Sequence, residues 1–130
     1  GEDVSAQFLS PIEETCEDMN NASAVLRVAY GEVSFLFTGD IEAEAEEKMC
    51  DAGHYLKSTV LKIPHHGSST SSTPRFISEV SPEIAVISQG KDNEYGHPHK
   101  NIVKRYERKG VKIYRTDRSG TITVKTDGTE

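Results

Sequence analysis

Apolar and polar positions alternate along this chain with a period that changes several times, and each change predicts an element. Residues 4–10 alternate weakly and stop at Pro11, which predicts an edge strand whose exit the proline enforces, since proline has no N–H to give a ladder. Residues 12–21 carry Glu13, Glu14, Glu17 and Asp18 and read as an acidic surface loop. Two β-branched and aromatic runs follow, 24–30 and 33–37, separated only by Gly31-Glu32. A two-residue connection with glycine first predicts a type II′ hairpin. After Thr38-Gly39-Asp40 the period turns helical: Ile41, Ala45, Met49 and Ala52 fall on one face, Glu42, Glu44, Glu46 and Glu47 on the others, and Gly53 ends the helix.

Residues 58–63 predict a strand that ends in Pro64-His65-His66-Gly67, followed by a hydroxyl-rich loop, 68–73. Pro74 suits the first turn of a short helix running through Val80. Residues 84–88 are continuously apolar and predict a strand buried on both faces. A long polar loop, 90–99, precedes a helix over 101–109 with Ile102, Val103 and Tyr106 inward, stopped by Gly110. Strands over 111–114 and 121–125 are predicted on either side of an Asp117-Arg118-Ser119-Gly120 turn. Strands come first, then strand and helix alternate, which predicts an α/β sandwich built on a mixed sheet.

The chain has 130 residues, enough for one domain with its own core. No apolar run approaches the roughly eighteen residues of a membrane span. A formal charge of −6 gives no basic footprint for nonspecific nucleic-acid binding, so a phosphate-bearing partner would have to be held locally or through a metal. Cys16 and Cys50 have no C-x-x-C spacing and no signal peptide precedes them, so reduced thiols are expected. The chain opens on Gly1 rather than Met, and a piece of a longer protein is expected.

Candidate chemistry gathers where strands are predicted to end: Asp40, His65 and His66, then His97 and His99 in the later loop. Open α/β sheets place ligands at those ends. An aspartate with histidines and no ligating thiol suits Zn²⁺, Mn²⁺ or Fe. Asp40 also has a plain reading as the N-cap of the helix that follows it. His54, beside Gly53, reads as a structural group at a helix C-terminus. The serine-rich stretch 68–73 has no G-x-S-x-G elbow, and no phosphate-cradling glycine loop occurs.

Five blocks in order carry a resemblance: Asn20-Asn21-Ala22-Ser23; Phe37-Thr38-Gly39-Asp40-Ile41-Glu42; Lys62-Ile63-Pro64-His65-His66-Gly67-Ser68; Ser88-Gln89-Gly90 with Asn93-Glu94-Tyr95-Gly96-His97-Pro98-His99; and Arg115-Thr116-Asp117 with Gly120. Together they resemble the metallo-β-lactamase-fold domain at the C-terminal end of ComEC-type competence proteins, which are integral-membrane DNA-uptake channels. The resemblance implies Asp40 and His66 as metal ligands. His97 would be the catalytic residue that meets the scissile phosphate or leaving group, and His65, Ser68, Asn93 and His99 would line the cleft. The implied chemistry is metal-assisted hydrolysis of a phosphodiester, with single-stranded DNA as the parent protein's partner.

The superfamily's main metal block, H-x-H-x-D-H, occurs nowhere in this sequence, and Met19, Asn20 and Asn21 stand where a histidine is expected before Ser23. Residues 1–130 are therefore read as one partial domain: the C-terminal half of a metallo-β-lactamase-type αββα sandwich, a mixed sheet flanked by helices. Two ligands cannot complete the shell of Zn²⁺ or Mn²⁺, so weak or absent metal binding and no turnover are expected of the chain by itself. It is expected to expose the surface that meets the rest of the parent chain and so to form homodimers. The parent is expected in a bacterial cell membrane with this domain outside the bilayer, and this part makes no membrane contact of its own. The other reading is a non-catalytic module that positions DNA or a partner protein at the channel.

Overall fold

Gly31 turns the chain with φ +58° while Glu32 stays out of the left-handed region, the combination a type II′ hairpin needs. The turn joins β2 (Val25–Tyr30) to β3 (Val33–Phe37), with Tyr30 opposite Val33. The computed structural model describes residues 3–12 and 17–130, so Cys16 and part of the acidic loop lie outside the described residues. β1 (Val4–Ser10) pairs antiparallel with β2 through a bulge near Leu9. Then come α1 (Ala43–Asp51), β4 (Val60–Lys62), a tight turn (Pro64–Gly67), α2 (Pro74–Val80), β5 (Ile84–Ile87), α3 (Lys100–Arg108), β6 (Lys112–Arg115) and the single turn α4 (Thr116–Ser119). The result is the mixed α/β sheet that the pattern predicts: one six-stranded sheet in the order β1-β2-β3-β4-β5-β6, parallel from β3 onward.

This order has a geometric consequence. Each parallel crossover steps to the next strand in the same direction, and right-handed crossovers that never reverse put every helix on one face. A single row, Leu36, Leu61, Ala85 and Ile113, runs across the four parallel strands on that face. Ala45, Met49, Phe76, Ile77, Ile102 and Tyr106 cover it from α1, α2 and α3, and together these side chains form the core. Among the described residues no helix covers the opposite face. Phe35 and Phe37 stack there with ring centroids 6.3 Å apart, and Phe37 remains 46% exposed.

Several sequence expectations give way to this one-sided packing. β5 is not buried on both faces: Ala85 and Ile87 are buried, whereas Ile84 and Val86 look out from the helix-free side. Residues 121–125 form no strand. Ile122 and Val124 instead lie against Phe35, Phe37, Val60 and Val86 on the open face. The tail ends at the hairpin, where Glu32 N–H donates to Gly128 O at 2.7 Å. A Cβ on Gly31 would stand 2.2 Å from that oxygen, a second reason for glycine at this turn. The turn expected over 117–120 is mostly the helical turn α4. Ala52 is exposed, and the inward face of α1 is completed by Cys50 and Glu46. Cys50 is free, and burial pushes its thiol up to about 12, so it is inert at neutral pH.

Glu46, assigned by pattern to an outer face, is fully buried. Its oxygens accept from Ser72 N–H at 2.6 Å and Thr73 N–H at 2.7 Å, in the loop just before α2. Ser72 sits at φ +59°, held by that bond, by its hydroxyl contact with Tyr106 Oη at 2.8 Å and by Arg105 donating to its carbonyl at 3.0 Å. Burial raises the Glu46 carboxyl above the usual range, opposed by the two backbone N–H groups. Glu46→Ala leaves two buried N–H groups without acceptors and should cost about 2–4 kcal/mol in urea denaturation at neutral pH. A raised folded-state pKa favours the protonated form, so this group's contribution is present in acid and falls as pH rises through that pKa. The wild-type minus Glu46→Gln stability difference should therefore decline from the ordinary glutamate range upward. A flat difference would count against this.

Candidate active site

The parallel strands end side by side, and the bonds between their exit loops build the site. Thr38 Oγ1 donates to Lys62 O at 2.6 Å, Lys62 Nζ donates to Gly39 O at 2.9 Å, and His65 N–H donates to the same carbonyl at 3.1 Å. Burial pulls the Lys62 ammonium below the usual lysine range, with the Asp40 charge opposing. Gly39, at φ +55°, lies so close to Ser23 that a Cβ would come within 2.8 Å of the serine Cβ. Ser23 Oγ in turn accepts from Asp40 N–H at 3.2 Å.

The plain reading of Asp40 as a helix cap does not describe this arrangement. The N-cap position of α1 is Glu42, and the free N–H groups of Glu42 and Ala45 donate to Asn21 Oδ1 at 3.0 and 3.3 Å. A distant asparagine serves the helix, and the Asp40 carboxylate is turned toward His66. His54 closes the other end of α1 with its backbone, donating to Met49 O at 3.3 Å.

His65 and His66 occupy consecutive left-handed conformations, φ +46° and +54°. For side chains other than glycine each costs roughly 1–3 kcal/mol, a strain that surrounding contacts must hold. His66 Nδ1 lies 2.6 Å from Ser88 O, and because a carbonyl only accepts, Nδ1 donates in that bond, which turns the Nε2 edge of the ring toward Asp40. That Nε2 is 3.3 Å from Asp40 Oδ1. Two ligands about 2.1 Å from one tetrahedral ion lie about 3.4 Å apart, so the pair matches one edge of a coordination shell. The donor set fits a divalent ion as two of its ligands. Among the described residues, no group of three or more His, Cys, Asp or Glu could hold one.

The other imidazoles cluster beside this pair. His65 Nδ1 is 3.2 Å from Glu42 Oε1 but out of line for a hydrogen bond, and its ring meets that of His97 nearly edge-on at 5.8 Å. Partial burial, and then the neighbouring imidazoles, pull the His97 pKa below the ordinary histidine value. Asn93 folds the loop that carries it, accepting from His97 N–H at 3.0 Å and donating to His97 O at 2.7 Å. His99 is exposed at the start of α3, fixed through its backbone N–H to Gly67 O at 2.9 Å. Ser68 is buried, its hydroxyl 2.9 Å from Thr70 Oγ1.

An open cavity of about 580 Å³ lies beside His66 and His97, walled by Gln89, Tyr95, Thr116 and Thr121 among others. Thr116 stood in one of the resembling blocks without a role of its own. Its hydroxyl accepts from Gln89 N–H at 2.7 Å and donates to Gln89 O at 2.8 Å, locking the exit of β5 to that of β6. Asn21 and Ser23 stood in a noted block without a role. Their work is side chain to backbone across 17 to 24 residues, which no local spacing reveals.

Gly67 joins the two histidine loops. At φ +79°, a Cβ there would come within 2.6 Å of Pro98 Cβ. Gly67→Ala should push the 96–99 segment away and lower stability by about 1–3 kcal/mol. Urea denaturation would measure the loss, and proton NMR the broken His65 to His97 ring contact. An unchanged midpoint with the ring contact intact would contradict this account of the junction.

Residues 6–91 match the metallo-beta-lactamase superfamily. The chain is 38% identical over 120 residues to ComE operon protein 3 of Bacillus subtilis (strain 168). It is 43% identical over 120 residues to Competence protein ComA of Neisseria gonorrhoeae and 36% over 118 residues to Recombination protein 2 of Haemophilus influenzae. These matches take in 92%, 92% and 91% of this chain but 16%, 17% and 15% of the relatives, so the chain spans about a sixth of the relatives' length. Its mixed α/β sheet agrees with that match, and the chain belongs to the metallo-beta-lactamase superfamily.

Proposed function

We propose that this chain is the C-terminal part of a metal-dependent hydrolase domain, a phosphodiesterase or nuclease that serves DNA uptake in natural competence. The observation that carries the reading is His66 Nε2 set 3.3 Å from Asp40 Oδ1, with Nδ1 tied to Ser88 O. Names of the similar proteins, a competence protein and a ComE operon protein among them, support the link to DNA uptake.

Asp40 and His66 would hold a divalent ion, Zn²⁺ or Mn²⁺. Such an ion, when bound, supplies Lewis acidity toward a phosphodiester. The chain's own residues do the rest. The Ser88 carbonyl orients His66, Lys62 adds positive charge beside Asp40, and His97 faces the cavity where a scissile phosphate or leaving group would lie. Two ligands leave the shell incomplete, so the isolated chain should not turn over, and the remaining ligands would come from the rest of the parent chain. The helix-free sheet face, with Phe35 and Phe37 stacked on it, is where that part would pack.

One observation favours a second reading, a non-catalytic module that positions DNA or a partner at a membrane channel: no three-ligand group is found among the described residues. Among those residues no helix is long and apolar enough to cross a membrane, so membrane placement of the parent would rest on other segments.

The parent protein's complete domain should cleave single-stranded DNA with Mn²⁺ or Zn²⁺, and an Asp40→Ala, His66→Ala pair should lose at least about 100-fold in rate. Equal cleavage by both proteins would sink the metal mechanism, and no cleavage by either would favour the binding module. Light scattering of the isolated chain over a dilution series should show self-association through the open face, weakened by Phe37→Ser. A monomer at every concentration would count against an exposed docking face.

A further inference from the structure

We infer that the cavity beside His66 is a nucleobase subsite, in which the Tyr95 ring is the stacking platform and the Gln89 amide meets the edge of the base. The inference deepens the phosphodiesterase reading and rests on it for what the base is attached to.

Tyr95 is 81% exposed, so its ring contributes little to the core. It is nevertheless held in place. Its ring lies 5.8 Å from that of His97 at an interplanar angle of 27°, so the imidazole backs one face and leaves the other free. Asn93 Oδ1 accepts from both Tyr95 N–H, at 3.2 Å, and His97 N–H, at 3.0 Å, which folds the loop under the two rings. An aromatic face fixed before binding loses little freedom when a base stacks on it.

The opposite wall supplies polarity without negative charge. The chain carries 21 acidic residues, yet among the described residues none lines this cavity. Gln89 has its backbone N–H and carbonyl both locked by the Thr116 hydroxyl, so its side chain springs from a fixed root. Its amide nitrogen is shielded from solvent and has no hydrogen-bond partner among the described residues. A shielded donor without an acceptor is costly, and turning the amide into the cavity that Gln89 lines gives it the acceptor and donor of a base edge. The cavity, at about 580 Å³, is in the size range of small-ligand sites.

His66 connects this cavity to the ligand pair, since it lines the one and faces Asp40 in the other. A phosphate at the pair and a base in the cavity therefore belong to the same or adjacent nucleotides. A base can enter only when it is unpaired, which selects single strands over duplex.

The test uses the 130-residue chain without metal, titrated with fluorescein-labelled oligothymidylate and with an abasic oligonucleotide of equal phosphate count, read by anisotropy. The base-bearing strand should bind more tightly. Tyr95→Ala should weaken it by about 5- to 150-fold and remove the difference, whereas Tyr95→Phe should keep it. Gln89→Ala should alter the ranking among thymine, adenine and cytosine strands. Equal affinity for the two strands, including no binding to either, overturns the subsite, as does a preference that survives Tyr95→Ala. Base preference in a parent domain that cleaves nothing would leave the subsite standing and remove the enzyme. Cleavage without base preference would do the reverse.

Discussion

One backbone carbonyl, that of Gly39, receives both the His65 N–H and the Lys62 ammonium, and the site depends on that convergence. It binds the exit of β3 to the exit of β4. It is one of the bonds that hold two successive histidines in left-handed backbone, a conformation that L-residues other than glycine disfavour. The same loop is clamped from below by Ser23 and from the side by the Thr38 hydroxyl, so Asp40 is delivered to His66 by a rigid frame. With Asn21 serving α1, the Asp40 carboxylate faces His66. Local strain of this kind, compensated by bonds from other segments, lets a fold keep a fixed side-chain geometry.

The sheet explains where everything else goes. Strand order that advances one step at a time puts three helices on one side and leaves the other to a tail of irregular chain. Ile122 and Val124 alternate as a strand would, yet they pair with no strand among the described residues. Their local preference and their observed state disagree, a kind of conflict that natural sequences tend to keep for places where something else is meant to pack. The cavity at the strand exits begins where this tail leaves α4, so Thr121 belongs to its wall and Ile122 to the open face.

Much of the architecture was legible in the residues. The Gly31-Glu32 hairpin, the order of strands and helices, the short helix opened by Pro74 and the gathering of Asp40, His65, His66 and His97 at strand ends all follow from period and turn chemistry, which act over a few residues. What escaped was everything that depends on a partner far along the chain. Glu46 reads as a surface glutamate by pattern, and only the arrival of Ser72 and Thr73 makes burial tolerable. Asp40 reads as the cap of α1 by its position just before the helix, and three-dimensional placement gave that work to Asn21 instead.

The sequence by itself determined which segments are strands and helices up to β6, where the chemistry-bearing side chains would cluster, and which family pattern they follow, because these depend on local periodicity and on residue types kept in order. Only the tertiary structure decided that Asp40 faces His66, that Thr116 locks Gln89, that Tyr95 stands exposed over a cavity and that residues 121–125 lie flat on a bare sheet. The reason is physical. A side chain's role is set by which distant backbone groups need its hydrogen bonds and which faces the crossovers leave uncovered, and neither is written in any window of neighbouring residues.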